Sequence, residues 1–115
     1  MTLHDWDEMP EETLNPLASR KVIHTERMTI AQLRLSKGAI VPDHSHENEQ
    51  VTMLRQGRLR FVVSGEEKIV KGGECLQIPP NAPHSVEALE DSVAVDIFSP
   101  AREDWIRGDD AYLRR

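Results

Sequence analysis

The sequence predicts one all-β domain, built as a double-sheet sandwich or barrel. Three observations carry this. At 115 residues the chain has the length of a single domain. From Arg20 onward it consists of short runs rich in Val, Ile, Thr and Leu, broken at short intervals by glycine and proline. Within those runs polar and apolar side chains alternate with a period of two, most plainly in Arg58, Leu59, Arg60 and Phe61. A chain of this size buries about two-thirds of its unfolded surface, enough for a core without covalent staples.

Residues 1–19 hold Pro10, Pro16, a cluster of acids and no sustained period, so they read as an extended arm anchored by Trp6. The barrel is expected over 20–99 and a tail over 100–115. Met28 to Leu35 alternates as a strand, as does Arg58 to Ser64. Gly57 and Ser64-Gly65 are natural hairpin positions, the second between Phe61-Val62-Val63 and Ile69-Val70. Gly72-Gly73 precedes a strand from Cys75 to Ile78, and Pro79-Pro80-Asn81-Ala82-Pro83 makes a stiff corner before His84. After a last strand, Val93 to Phe98, Pro100 begins a short helix that runs to about Ile106 and stops by Gly108. An open sandwich this small leaves edge strands, which predicts a two-fold homodimer burying the arm or the outer face of Val93, Val95 and Ile97.

Composition removes several classes of function. The formal charge is −6, and five of the 20 acids but none of the 14 bases fall in the first twelve residues, so the body is nearly neutral. No basic stripe faces a phosphate backbone, and aromatics make up only 4%, too few for a stacking platform; nucleic acid is not an expected partner. No apolar run approaches the roughly 20 residues of a membrane span. One cysteine, Cys75, forms no intrachain disulfide and reads as a small core residue, consistent with a cytoplasmic protein. Arg55, Arg58 and Arg60 read as a solvated face, and Trp105 and Tyr112 as packing or oligomer contacts.

The chemistry concentrates in a few residues. In His44-Ser45-His46, side chains two apart on a strand point the same way, so both imidazoles can meet one ion; alternatively each pairs with a carboxylate such as Asp43 or Glu47. The strand Val93 to Phe98 is apolar on both faces except for Asp96, and a buried carboxylate demands a partner or a proton. Asp96 and Phe98 share one face.

Gly38, five residues, His44-x-His46, three residues, Gln50, six residues and Gly57 reproduce the first motif of the cupin superfamily, with Gln50 where glutamate is usual. Gly73, five residues, Pro79, Asn81 and His84 follow the second motif, with Asn81 in place of a glycine and Ala88 in place of an asparagine. The chain therefore resembles a small single-domain cupin. The resemblance implies a jelly-roll barrel, a double-stranded β-helix, with a short C-terminal helical segment. It also implies one divalent transition metal (Mn, Fe, Co, Ni or Zn) held by His44, His46, Gln50 and His84; Glu49 competes with Gln50 for the fourth place. His4 and His24 match no motif.

Asp96-Ile97-Phe98-Ser99-Pro100-Ala101-Arg102, together with Arg20-Lys21-Val22 and Lys37-Gly38-Ala39-Ile40, is similar to the small pectin-degradation cupins that linearise 4,5-unsaturated galacturonate. Met53 departs from the tyrosine common in that strand. The likeness implies a metal-dependent ring-opening isomerase for a carboxylated sugar, with Asp96 as the acid–base group, Arg102 gripping the substrate carboxylate with two prongs and Phe98 packing on the sugar. The rival readings are a non-haem metal dioxygenase and a non-catalytic cupin that only binds or senses a small acid.

Overall fold

The computed structural model describes residues 1–115. Ten strands form two antiparallel sheets: β1 (Glu12–Asn15), β2 (Ala18–His24), β3 (Thr29–Leu35), β4 (Ile40–His44), β5 (Glu49–Gln56), β6 (Arg58–Val63), β7 (Glu66–Lys71), β8 (Cys75–Ile78), β9 (His84–Ala88) and β10 (Ser92–Ser99). One sheet runs β1-β2-β3-β10-β5-β8 and the other β4-β9-β6-β7. Helix α1 is a single turn, Glu103–Ile106, and 3₁₀ turns occupy Trp6–Glu8 and Ala111–Arg114. The double-sheet expectation holds, and no helix is long and apolar enough to cross a membrane.

The period-two alternation decides what faces inward. On β6, Leu59 and Phe61 are buried while Arg58 and Arg60 are exposed, and Arg60 pairs with Glu87 across the sheet at 2.6 Å. On β10, Ala94, Asp96 and Phe98 face Leu54, Thr52 and Gln50 of β5 in direct register. Leu35, Leu54, Leu59, Phe61, Val70 and Ile78 form the centre of the core.

The end of the extended arm is itself a strand: β1 pairs with β2 from Glu12, and Ala18 lies within β2. Three expectations need correction. Gly57 is not a hairpin turn, because β5 and β6 belong to different sheets. The chain crosses between sheets there at φ +97°, and a Cβ would stand 2.2 Å from Ser92 Oγ and 2.5 Å from the Asp91 carbonyl. Ser64-Gly65 does make the β6–β7 hairpin, with φ of 48° and 82° as a type I′ turn requires. Cys75 is exposed rather than in the core. It opposes Met53 in the β5–β8 register, one step out of phase with the inward pairs Thr52–Leu76 and Gln50–Ile78. The C-terminal helix begins at Glu103, not Pro100.

The tail returns to the start of the barrel. The buried Arg20 pairs with the buried Asp110, and with Glu12 at 3.3 Å. Arg114 pairs with Asp110 at 3.1 Å and with Glu12. The Arg20 guanidinium also lies 4.6 Å from the Trp105 ring centre, a cation–π contact, and its Nη1 is buried without a hydrogen-bond partner. The hydrogen bond from Arg114 holds Glu12 below the ordinary carboxylate range. Burial alone would raise Asp110, but the bonds from Arg114 and Arg20 outweigh it and keep it low. A carboxylate depressed by folding stabilises the fold above its unfolded pKa of about 4 and loses that contribution as pH falls through the lower folded value. Asp110→Asn leaves Arg20 buried without its main counter-charge, so it should cost about 3 kcal/mol at neutral pH. Calorimetry from pH 7 to 3 should then show wild type losing its advantage over the variant below about pH 4. Equal stability at neutral pH would remove this pair from the account.

Candidate metal centre

His44 ends β4 and directly opposes His84 at the start of β9, so register alone brings their rings to 4.2 Å between centres. His46, two residues beyond β4, completes the group, 5.0 Å from the His84 ring. One ring nitrogen of each histidine lies within 4.8 Å of the other two. Each Nδ1 faces a backbone carbonyl: Pro42 for His44 at 2.8 Å, Asn48 for His46 at 3.0 Å and Ala82 for His84 at 2.9 Å. A carbonyl only accepts, so each Nδ1 carries the proton and each neutral ring keeps its Nε2 lone pair. Burial pushes His44 and His46 down to about 4, and the nearby Arg102 charge adds to it. Burial lowers His84 as well.

Gln50 faces this cluster from β5. Its Nε2 donates to Thr52 Oγ1 at 3.0 Å, and the Thr52 hydroxyl donates to Asp96 Oδ1 at 2.6 Å. That chain turns the Gln50 amide oxygen toward His46 Nε2, 3.1 Å away. Two lone pairs then face each other, which is unfavourable until a cation lies between them. Three imidazoles with fixed tautomers and one amide oxygen, without thiolate, fit a divalent first-row transition metal. Glu49 is exposed on the opposite side of the strand, whereas Gln50 is 5% exposed.

Asp96 and Arg102 line one cavity with His44, His84, Gln50 and Phe98. Burial raises the Asp96 carboxyl to about 6, against the opposing pull of Thr52 and Arg102. Arg102 is buried, its guanidinium 4.7 Å from the Phe98 ring centre and 4.3 Å from that of Trp105. The two-pronged hold expected of it is already spent within the protein: Nε and Nη2 bond both oxygens of Asp104 at 3.0 and 2.8 Å. Nη2 also donates to the Tyr112 hydroxyl at 2.7 Å, and no hydrogen bond uses Nη1. Burial opposes its charge, but Asp104 and Tyr112 more than restore it.

Two residues of the site escaped the sequence. Thr52 was findable, because it lies two residues from Gln50 on the same strand face and opposes Asp96 across the register. Tyr112 carried no local signal. Its ring lies 4.6 Å from that of His44, although 68 positions separate them in the sequence. His24 bonds Thr29 Oγ1 at 2.9 Å and His4 is exposed; neither belongs to the three-histidine group.

The family model described as a cupin domain matches residues 31–99. Pectin degradation protein KdgF of Dickeya dadantii (strain 3937) is 34% identical over 103 residues, covering 87% of this chain and 94% of that protein. Among solved structures, KdgF from Halomonas sp. superposes with a TM-score of 0.84 at 29% identity, over 90% of this chain and 99% of that one. An RmlC-like cupin from Shewanella frigidimarina superposes at 0.85 with 24% identity, over 91% and 96% of the two chains, a likeness of fold alone.

Proposed function

The chain belongs to the cupin family, and from that premise we propose that it is a metal-dependent enzyme of pectin breakdown that opens a small 4,5-unsaturated uronate to its linear keto form. The observation that carries this is a three-histidine cluster, two of whose rings, His44 and His84, line one cavity with a buried carboxyl near pKa 6, an unspent arginine nitrogen and an aromatic wall. The likeness to proteins named for pectin degradation supplies the substrate class.

The proposed reaction is an isomerisation without redox change. The C1–O5 bond breaks, the anomeric hydroxyl gives up its proton as C1 becomes an aldehyde, and C4 of the resulting enolate gains a proton as C5 becomes a ketone. A divalent metal on His44, His46, Gln50 and His84 would supply Lewis acidity toward the substrate's oxygens. Asp96 is the acid–base group: a carboxyl near 6 is populated in both forms close to neutrality and can deliver the proton to C4. Thr52 fixes its Oδ1, so the carboxyl cannot rotate freely. Arg102 offers Nη1 to the substrate carboxylate, Asp104 holds the rest of its fork in place, and Phe98 packs on the sugar.

The test is loss of the unsaturated uronate's ultraviolet absorbance, with metal-loaded protein against metal-stripped protein. Metal-dependent loss is expected. No difference would return the site to a dioxygenase, read by oxygen consumption, or to a binder.

The homodimer belongs to the same proposal. Ile23, Ile30, Ile97 and Val51 stand in one cross-strand row on the outer face of the six-stranded sheet, next to Val95 and Met53. The arm reaches this face too, where Leu3 and Trp6 line a groove with Gln32 and Arg55. A light-scattering mass of one chain at micromolar concentration would refute the dimer.

A further inference from the structure

The strand pairing that frames the site stops at a proline, and an asparagine side chain takes its place. The β5–β10 ladder runs as far as Glu49 opposite Ser99. Pro100 follows, and it has no N–H to carry the ladder on. The carbonyls of Pro100 and Ala101 would thus lose their donors where the chain leaves the barrel, immediately before Arg102. Asn48 supplies them. It lies in the bend between β4 and β5, two residues past His46, and is only 3% exposed. Its Nδ2 donates to the Pro100 carbonyl at 2.6 Å and to that of Ala101 at 3.3 Å, one proton for each.

The backbone of the same residue faces the metal centre, where its carbonyl accepts from His46 Nδ1 at 3.0 Å. One residue therefore orients a metal-ready imidazole with its main chain and pins the approach to Arg102 with its side chain. The other pin on this segment is one-sided. Arg102 N–H donates to Thr29 Oγ1 at 2.8 Å, and the bonds of Thr29 otherwise reach His24, not a histidine of the metal group.

The two groups that Asn48 ties together work at close quarters. The His46 ring meets the Phe98 ring edge-on at 5.6 Å between centres, and the Arg102 guanidinium lies 4.7 Å from the centre of that same ring. An acid that engages the metal and Arg102 together has to match their separation, and misplacement of such groups is costly even when its cause lies outside the reacting atoms.

We propose that Asn48 is a positioning residue that fixes His46 and Arg102 relative to each other, so that loosening it weakens metal binding and acid binding at once. The proposal rests on the reading of the ligand as a small sugar acid that meets both.

The test uses full-length protein, with Zn(II) as the metal probe and galacturonate as the acid probe, since the latter has the ring and the acid group without the double bond. Asn48→Ala keeps the carbonyl but removes its anchor. It should raise the Kd for Zn(II), read by competition with a chelator, about tenfold, the lower end of what a disturbed partner of a metal ligand costs. With zinc saturating, it should also raise the Kd for galacturonate about tenfold, the factor that a hydrogen bond to a charged group supplies. Asn48→Ser, whose hydroxyl is too short to span both carbonyls, gives the same reading if the alanine variant does not fold. Thr29→Val removes only the Arg102 pin, so it should weaken galacturonate and leave Zn(II) unchanged. Val70→Ala, which loosens the core away from the cavity lining, should move neither constant. An effect of the Asn48 variants on one constant alone, on neither, or matched by Val70→Ala would overturn the proposal. If the two-sided effect appears but wild type leaves unsaturated uronate intact, the role of Asn48 stands and the proposed reaction falls; turnover with both constants unchanged in Asn48→Ala means the reverse. Wild type that binds zinc but no galacturonate would remove both.

Discussion

Protein carrying His46→Ala and His84→Ala should retain less than about a tenth of its metal, against close to one divalent ion per chain in wild type. The reason lies in what is left: His44 and the Gln50 amide alone offer two ligands, and a neutral amide is a poorer donor than an imidazole. Gln50→Ala, which keeps all three imidazoles, should weaken binding much less. Removing a partner that orients a ligand typically costs about 10–100-fold in affinity, so Thr52→Val, which frees the Gln50 amide to rotate, should fall between wild type and Gln50→Ala. Elemental analysis after dialysis against a weak chelator reads all four proteins. Full metal content in the double variant would sink the three-histidine assignment.

The parts of this site that were legible in the sequence are those fixed by local geometry. His44 and His46 were legible as a pair from their spacing of two, although β4 ends at His44 and His46 joins the group from just beyond it, and Asp96 stood out because a carboxylate interrupts an otherwise apolar strand. The two sheets were legible for the same reason, since alternation such as that of Arg58 to Phe61 survives in the burial pattern. Register was not. Whether Cys75 faces in or out depends on its pairing with Met53, and whether Gly57 turns a hairpin or crosses between sheets depends on which strand β6 finds as a partner. Neither is encoded nearby. The tail was the least legible part, because its path is set by Arg20 and Asp110, 90 residues apart in the chain. Arg102 shows how this reaches the chemistry. The sequence offers a free two-pronged arginine, and Asp104, only two residues away, consumes that fork once a one-turn helix bends back toward it.

Asp96→Asn should lower kcat on unsaturated uronate by about 10²–10⁴ while leaving fold and metal content intact. The substitution is nearly isosteric, and an asparagine oxygen can still accept from the Thr52 hydroxyl, so the chain from Gln50 through Thr52 keeps its order. What is lost is the exchangeable proton. If that proton moves only in the transition state, kcat and kcat/KM should fall together with KM almost unchanged. Arg102→Lys should behave in the opposite way. It keeps a positive charge but gives up the planar fork that Asp104 and Tyr112 hold, so its effect should appear chiefly in KM. Arg102→Ala is the less informative change, because the buried guanidinium packs on both Phe98 and Trp105 and its removal opens the core. The pairing of the two results is what discriminates. A binder that never moves a proton would show Asp96→Asn changing affinity alone, and an enzyme whose acid lies elsewhere would show an unaltered rate in Asp96→Asn beside a raised KM in Arg102→Lys.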